Sequence, residues 1–284
     1  MEGTALELSA YLERIGFEGV PRADRATLAA VQRRHHLAIP YENLDVQLGR
    51  RVVLDPAAAF DKLVGRRRGG WCYEMNGLLG WALGEIGFRV TRLATAVMRP
   101  MFGEAAQGNH LVLRVDLEGE TLLADVGLGD GPLTPYAVAE GPFASGDWTY
   151  RLERLDAGWW RLHNRPGARP PDFDFHLQRV DEPLLAEKCV LLQSDPNSIF
   201  VQNLICQRFV EGGHLQLLGK VLTRRSLAGG SERELASADD LTDVLRLDFG
   251  IDEPAAAGLW PAICARHAEV RFRSERIPTG ARID

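Results

Sequence analysis

Arg66-Arg67-Arg68-Gly69-Gly70-Trp71-Cys72-Tyr73-Glu74-Met75-Asn76 is the stretch on which the reading of this chain turns. Behind it Met75, Leu78, Leu79, Ala82, Leu83 and Ile86 recur at three- and four-residue steps, the spacing of an amphipathic helix, and Gly87 closes it. The two glycines leave the backbone free to bend, so Cys72 falls at or near the first helical turn. A thiol there meets unpaired backbone N–H groups and the positive end of the helix dipole. Both favour thiolate, the nucleophilic form. An inert buried thiol is the commoner fate of a lone cysteine. The arginines, the glycines and the helix start favour a nucleophile instead.

Working outward, the flanking segments are helical. Leu8, Tyr11, Leu12 and Ile15 mark a first helix stopped by Gly16 and Gly19. Asp24 can cap a second that carries Leu28 and Val31 and ends before Pro40. Ile39–Asp45 reads as an extended polar-aromatic connection. Asp55-Pro56 opens a third helix with Phe60, Leu63 and Val64 on its apolar face. After Gly87 the period changes. Phe88–Met98, His110–Leu117, Thr121–Val126, Trp148–Leu155 and Trp159–His163 read as strands with turn signals between them, an antiparallel sheet or small barrel. His163–Asp174, with its prolines, reads as a loop. Glu182–Leu192 and Ser198–Val210 stay open between helix and strand. Leu215–Leu222 reads as a strand, Ser237–Phe249 and Pro254–His267 as helices, and Val270–Phe272 as a final short strand.

Composition bounds the function. The 284 residues are 45% hydrophobic and 25% charged with net charge −6, an ordinary globular profile with no field to draw in nucleic acid or an anionic membrane. No apolar run approaches the ~20 residues of a membrane span. Met1–Gly19 carries Glu2, Glu7 and Glu13 and does not read as a signal peptide. Cys72, Cys189, Cys206 and Cys264 lie far apart, without metal-ligand or disulfide spacing. A cytoplasmic protein with reduced thiols and no metal is expected. The composition leaves a homo-oligomer open.

A catalytic thiol needs a base, and the base an orienting group. His110 opens a predicted strand. Asp116 shares its face, but six residues at ~3.3 Å put it about 20 Å away. If the hairpin turns at Glu118-Gly119, paired positions sum to 237 and His110 faces Gly127. Asp125 then becomes the diagonal neighbour on the same face, about 7–8 Å off between backbones. A three-residue loop would flip that parity. Asp125–Pro132 is also glycine-rich and follows a strand, a pattern that can admit phosphates but is more often a turn.

Taken together, Ile39-Pro40-Tyr41-Glu42-Asn43-Leu44-Asp45, Arg67–Asn76, Gly108-Asn109-His110, Asp125-Val126-Gly127-Leu128-Gly129 and Pro196-Asn197-Ser198-Ile199-Phe200 resemble the arylamine N-acetyltransferase family. The resemblance implies an α+β fold of several lobes: an N-terminal helical bundle (1–87), a central antiparallel β-barrel (88–195), an interdomain segment (196–213) and a C-terminal α/β lid (214–284). It implies a Cys72–His110–Asp125 triad, acetyl-CoA as co-substrate, and small aromatic amines, hydrazines or N-hydroxyarylamines as acceptors in a ping-pong reaction. Arg68 and Glu42 match residues expected to pair and brace the cysteine loop. Tyr41, Val97, Leu128 and Phe200 fall where the family lines its aryl pocket, and Gly127 and Gly129 on the coenzyme A side. Tyr41 stands where phenylalanine is frequent, and Leu128 where an aromatic is common. Other readings are an amide synthase of the same fold acting on a carrier-bound acyl chain, a cysteine hydrolase, and a non-catalytic binding module.

Overall fold

The computed structural model describes residues 6–276 and mixes helix with sheet. Helices α1 (Leu8–Arg14), α2 (Arg25–Ala38), α3 (Leu44–Gln47), α4 (Pro56–Phe60) and α5 (Cys72–Ile86) gather at the N-terminal end. Their starts follow from capping. Asp24 accepts from the Thr27 N–H, and Asp55 accepts from Ala57 ahead of Pro56. The C-cap of α5 is Gly87 at φ 105°, a left-handed position that only glycine fills without strain. Ile39–Asp45 is less extended than its sequence suggests: a two-residue strand β1 (Tyr41–Glu42) leads into α3.

The next strands are β2 (Arg89–Val97), β3 (His110–Leu117), β4 (Glu120–Ala124), β5 (Tyr136–Ala137), β6 (Gly141–Ser145), β7 (Trp148–Arg154), β8 (Trp159–His163) and β9 (Asp172–His176). They form one antiparallel sheet in the order β5-β4-β3-β2-β9-β8-β7-β6. Its two ends curl together, since Tyr136 of β5 and Phe143 of β6 stack at 4.6 Å. The β3–β4 register pairs Leu113 with Ala124 and Leu117 with Glu120, the sum of 237 that the two-residue turn predicts. The short helix α6 (Arg99–Phe102) follows β2.

The structure departs from the sequence expectations at Asp172, at Leu215–Leu222 and at Val270–Phe272, and it settles the two segments left open. The strand Asp172–His176 begins inside the predicted loop, and the fully buried Asp174 is satisfied there by a two-pronged Arg161 contact at 2.6 and 2.9 Å. Glu182–Ser194 is helix α7, and Ser198–Val210 divides into α8 (Ile199–Gln202) and β10 (Ile205–Val210). Leu215–Leu222 is no single strand. It spans β11 (Gly213–Leu218) and β12 (Val221–Ser226), because Gly219 at φ 56° turns the chain in two residues. These join β1, β10 and β13 (Gly229–Glu234) in a five-stranded sheet covered by α9 (Ala238–Leu247) and the start of α10 (Trp260–Arg276). Val270–Phe272 is not a strand but lies inside α10.

Four apolar clusters result. One packs α1, α2, α4 and α5 on the outer face of β3 and β4, through Leu113, Val115, Leu122 and Ala124. One fills the barrel, and one the five-stranded sheet. The fourth surrounds Cys72, where Tyr41, Trp71, Tyr73, Leu111, Leu185 and Cys189 meet. Among the described residues no helix is long and apolar enough to cross a membrane.

Candidate active site

Cys72 is the first residue of α5 and is buried. The glycines before it do not bend the chain. Arg67 takes the left-handed conformation (φ 53°), while Gly69 and Gly70 are required by proximity. A Cβ on Gly69 would strike the Pro40 carbonyl oxygen, and one on Gly70 would sit 2.9 Å from Glu74 Oε2. Glu74 turns back and accepts from the Trp71 N–H at 3.2 Å, half of a capping box.

His110 and Asp125 meet as the register requires. The His110 Nε2–Asp125 Oδ2 distance is 2.8 Å, with both side chains buried. Burial pushes the Asp125 carboxyl up, but the His110 ring, Asn76 and the Gly127 N–H outweigh it, so its pKa lies below the usual carboxylate range. His110 keeps Nδ1 for another partner. Burial pushes the Cys72 thiol up, reinforced by Cys189 and Asp125, while backbone hydrogen bonds from Leu111 and Tyr73 pull it down. Leu111 directly follows His110, so the strand that carries the imidazole also presents a backbone donor to the sulfur.

Asn76 ties α5 to β3 and to the Asp125 loop, a role its sequence position does not announce. One turn beyond Cys72, its Nδ2 donates to Asp125 Oδ1 at 2.7 Å and to the Leu111 carbonyl at 2.6 Å. Its Oδ1 accepts from the Val126 N–H at 2.9 Å. Behind Asp125, His36 Nε2 donates to the Asp125 carbonyl oxygen at 2.9 Å. The Asp125–Gly129 loop passes against Cys72: a Cβ on Gly127 would lie 2.7 Å from Cys72 Cα and 2.6 Å from Asn76 Nδ2. Gly129, at φ 80°, runs beside Gln207 and Tyr41. Close packing therefore accounts for both glycines.

Arg68 and Glu42 do pair, Nη2 to Oε1 at 2.8 Å, inside a larger network absent from the sequence reading. Lys62 lies 2.8 Å from Asp45 and 3.0 Å from Glu74, and Arg68 also contacts Asp45 and Glu253. Burial works against the Lys62 ammonium, but Glu42, Glu74 and Asp45 outweigh it and raise its pKa.

Of the four aryl-pocket candidates, Tyr41 belongs to the cluster of Cys72 and Phe200 packs against that cluster, its ring edge-on to Trp71 at 5.3 Å. Leu128 belongs to the barrel cluster and Val97 packs on it, with Phe173, whose ring is 5.5 Å from His110. Asn43 donates to the carbonyls of Phe200 and Asn203 and accepts from Ile205, all at 2.8 Å. Asn109 brackets Val97 with both its amide atoms. These bonds explain why the two asparagines stand beside Glu42 and His110. A cavity of about 300 Å³ opens nearby between α8, β11, β12 and α10. Arg169, Arg225 and Arg266 line it against one acid, Glu232, and neither Cys72 nor His110 reaches it. Among the described residues no His, Cys, Asp and Glu side chains group to hold a metal ion.

The His110–Asp125 pair and Cys72 at the start of α5 are thus brought to one buried region, and the comparisons with known proteins give the class of enzyme that carries them. The N-acetyltransferase family model matches residues 24–256. An arylamine N-acetyltransferase of Mycolicibacterium smegmatis is 36% identical over 276 residues, 94% of this chain and 98% of its own length. Among solved structures, the Salmonella typhimurium arylamine N-acetyltransferase superposes with TM-score 0.81 at 28% identity, covering 91% of this chain and 98% of its own. The Mycobacterium marinum enzyme in complex with CoA gives TM-score 0.81 at 31% identity, covering 93% and 99%. The chain belongs to the arylamine N-acetyltransferase family, and it is an acyltransferase.

Proposed function

We propose that this chain transfers an acetyl group from acetyl-CoA to arylamines, arylhydrazines or N-hydroxyarylamines by a ping-pong route through an acetyl-cysteine. The 2.8 Å contact of His110 with Asp125, beside Cys72 at the start of α5, carries the reading. Burial makes a free thiolate costly, so Cys72 gives its proton to His110 as it attacks, and Asp125 stabilises the resulting imidazolium. Backbone N–H groups beside the sulfur stand ready for the oxyanion of the tetrahedral intermediate. After coenzyme A leaves, the amine attacks the thioester and His110 handles its proton.

Tyr41, Val97, Leu128 and Phe200 form the aryl pocket in this reading, with Gly127 and Gly129 at the margin of the cleft. Arg68 and Glu42 brace the cysteine loop. The cavity with three arginines is locally positive in a chain of net charge −6, which suits the phosphates of coenzyme A. The lobes divide at 87 and 195, with 196–213 joined to the last lobe through the β10–β11 hairpin, and the enzyme works in the cytoplasm with its own cysteines reduced.

Intact-protein mass spectrometry tests the proposal. Mixing with acetyl-CoA should add one acetyl to Cys72, and anisidine should remove it. An unmodified protein whose thiol still alkylates would overturn acetyl-CoA as donor and favour a larger, carrier-bound acyl group.

A further inference from the structure

Asp125 is not the only buried carboxylate on its loop. Asp130, five residues on, is completely buried and contacts Arg165 Nη2. Arg165 is itself buried, and its guanidinium lies 4.1 Å from the centre of the Trp148 ring. His214 Nε2 is 3.7 Å from Asp130 Oδ1, and Arg225 Nη1 is 3.7 Å from Oδ2. Burial pushes His214 down, so its neutral ring carries one N–H, given to the Gly129 carbonyl oxygen at 3.1 Å. Asn164 donates to the Asp130 carbonyl at 2.9 Å, and Tyr150 to that of Gly131 at 3.1 Å.

The loop thus has two separately held halves. Asn76 and the Asp125 carboxylate fix residues 125–127; the carboxylate accepts from the Gly127 N–H at 2.7 Å. The Asp130 cluster fixes residues 129–131 with groups from the barrel (Tyr150, Asn164, Arg165) and from the five-stranded sheet (His214, Arg225). Leu128 spans the joint between the two halves.

We propose that Asp130 and Arg165 are positioning residues that set where Leu128 stands and thereby select the acceptor amine. This rests on the transferase reading above. Because the Cys72 side of the loop is held independently, the pair governs the second half-reaction and leaves formation of the acetyl-cysteine intact. A leucine displaced by about an ångström forfeits contacts with an aryl ring, an effect on the order of tenfold in discrimination.

The test compares the wild type with Arg165→Lys and with the double variant Asp130→Leu/Arg165→Met. Exchanging both members of a buried ion pair for apolar groups commonly preserves folding, whereas removing one strands the other. Each protein is followed by mass spectrometry through acetylation by acetyl-CoA, then through deacetylation by a series of para-substituted anilines. In the double variant, acetylation should stay within about twofold of wild type. KM for the anilines should rise about tenfold, with their ranking compressed. Arg165→Lys should restore most of the ranking, since the charge pair survives. A folded double variant with unchanged aniline KM and ranking would overturn the proposal, as would equal losses in both half-reactions. If the double variant does not fold, Asp130→Asn/Arg165→Gln, which replaces the ion pair by a neutral hydrogen-bonding pair, is read by the same KM and ranking, and values unchanged from wild type overturn the proposal. A wild-type chain that acetyl-CoA never acylates overturns this proposal together with the reading beneath it.

Discussion

Lys62→Met should be among the most damaging single substitutions in the protein, although Lys62 touches neither Cys72 nor His110. The wild-type network sets Arg50, Lys62 and Arg68 against Glu42, Asp45, Glu74 and Glu253. Methionine fills the same volume but leaves four carboxylates facing two cations, with Glu74 keeping only the Trp71 N–H as a donor. Stranding a buried charge in this way costs about 3–5 kcal/mol. The deficit should depend on pH in a definite direction. Burial already raises the Glu74 carboxyl, with Lys62 opposing it. Without Lys62 its folded pKa climbs further above the unfolded value. A group raised on folding contributes stability below its unfolded pKa and loses it as pH rises through the folded one. Urea denaturation of variant and wild type at pH 5 and pH 8 should therefore show the larger difference at pH 8. Glu74 holds the Trp71 N–H directly before Cys72, so the proposed acetylation of Cys72 should slow in the folded variant as well. A deficit below about 1 kcal/mol, or one independent of pH, would refute the view that Lys62 neutralises this buried acid cluster.

Other outcomes follow from the same geometry. Asp125→Asn should fold yet lose acetylation rate by orders of magnitude, because His110 loses its orienting anion while Asn76 retains a partner; near-normal single-turnover kinetics would show that another group orients the ring. Leu128→Phe should reorder the aryl acceptors, an aromatic contact being worth ~0.5–1.5 kcal/mol, while the acetyl-cysteine forms at the wild-type rate. An unchanged ranking would remove Leu128 from the pocket. His36 is neutral in the fold, where burial lowers its pKa to about 4 against the Asp125 charge. The unfolded chain binds a proton there first, so stability present above pH 6.5 is lost as pH falls towards 4. That interval corresponds to about 3 kcal/mol. In His36→Gln, which keeps a donor for the Asp125 carbonyl, thermal melts should show a flatter decline across that range.

The parts of the site that a sequence displays are those fixed by local rules. Gly87 stops α5, Asp24 and Asp55 cap their helices, and a two-residue turn sets the β3–β4 register that brings Asp125 to His110. Each depends on residues within a few positions of one another. The misreadings have local causes too. Gly219 lies inside an apolar run and conceals a hairpin, Pro166, Pro170 and Pro171 mask the strand at Asp172, and Val270–Phe272 has strand-like composition but continues α10. Lys62, Asn76, His36 and Glu253 carry no such mark. Their partners lie 12, 49, 89 and 185 positions away, so only the folded chain reveals what each one does.

The two kinds of residue also divide the work. In the proposed reaction, a thiol whose pKa burial raises needs an imidazole held in one place and one tautomer. One carboxylate oxygen of Asp125 does that; the other is occupied by Asn76 and the Gly127 N–H, and its carbonyl by His36. With every acceptor of Asp125 engaged, the carboxylate has no alternative orientation to offer His110. Asn76 and His36 therefore determine how firmly Asp125 is held against His110. Removing Asn76 or His36 should cost rate by loosening the aim of His110, with the His110–Asp125 pair itself still in place.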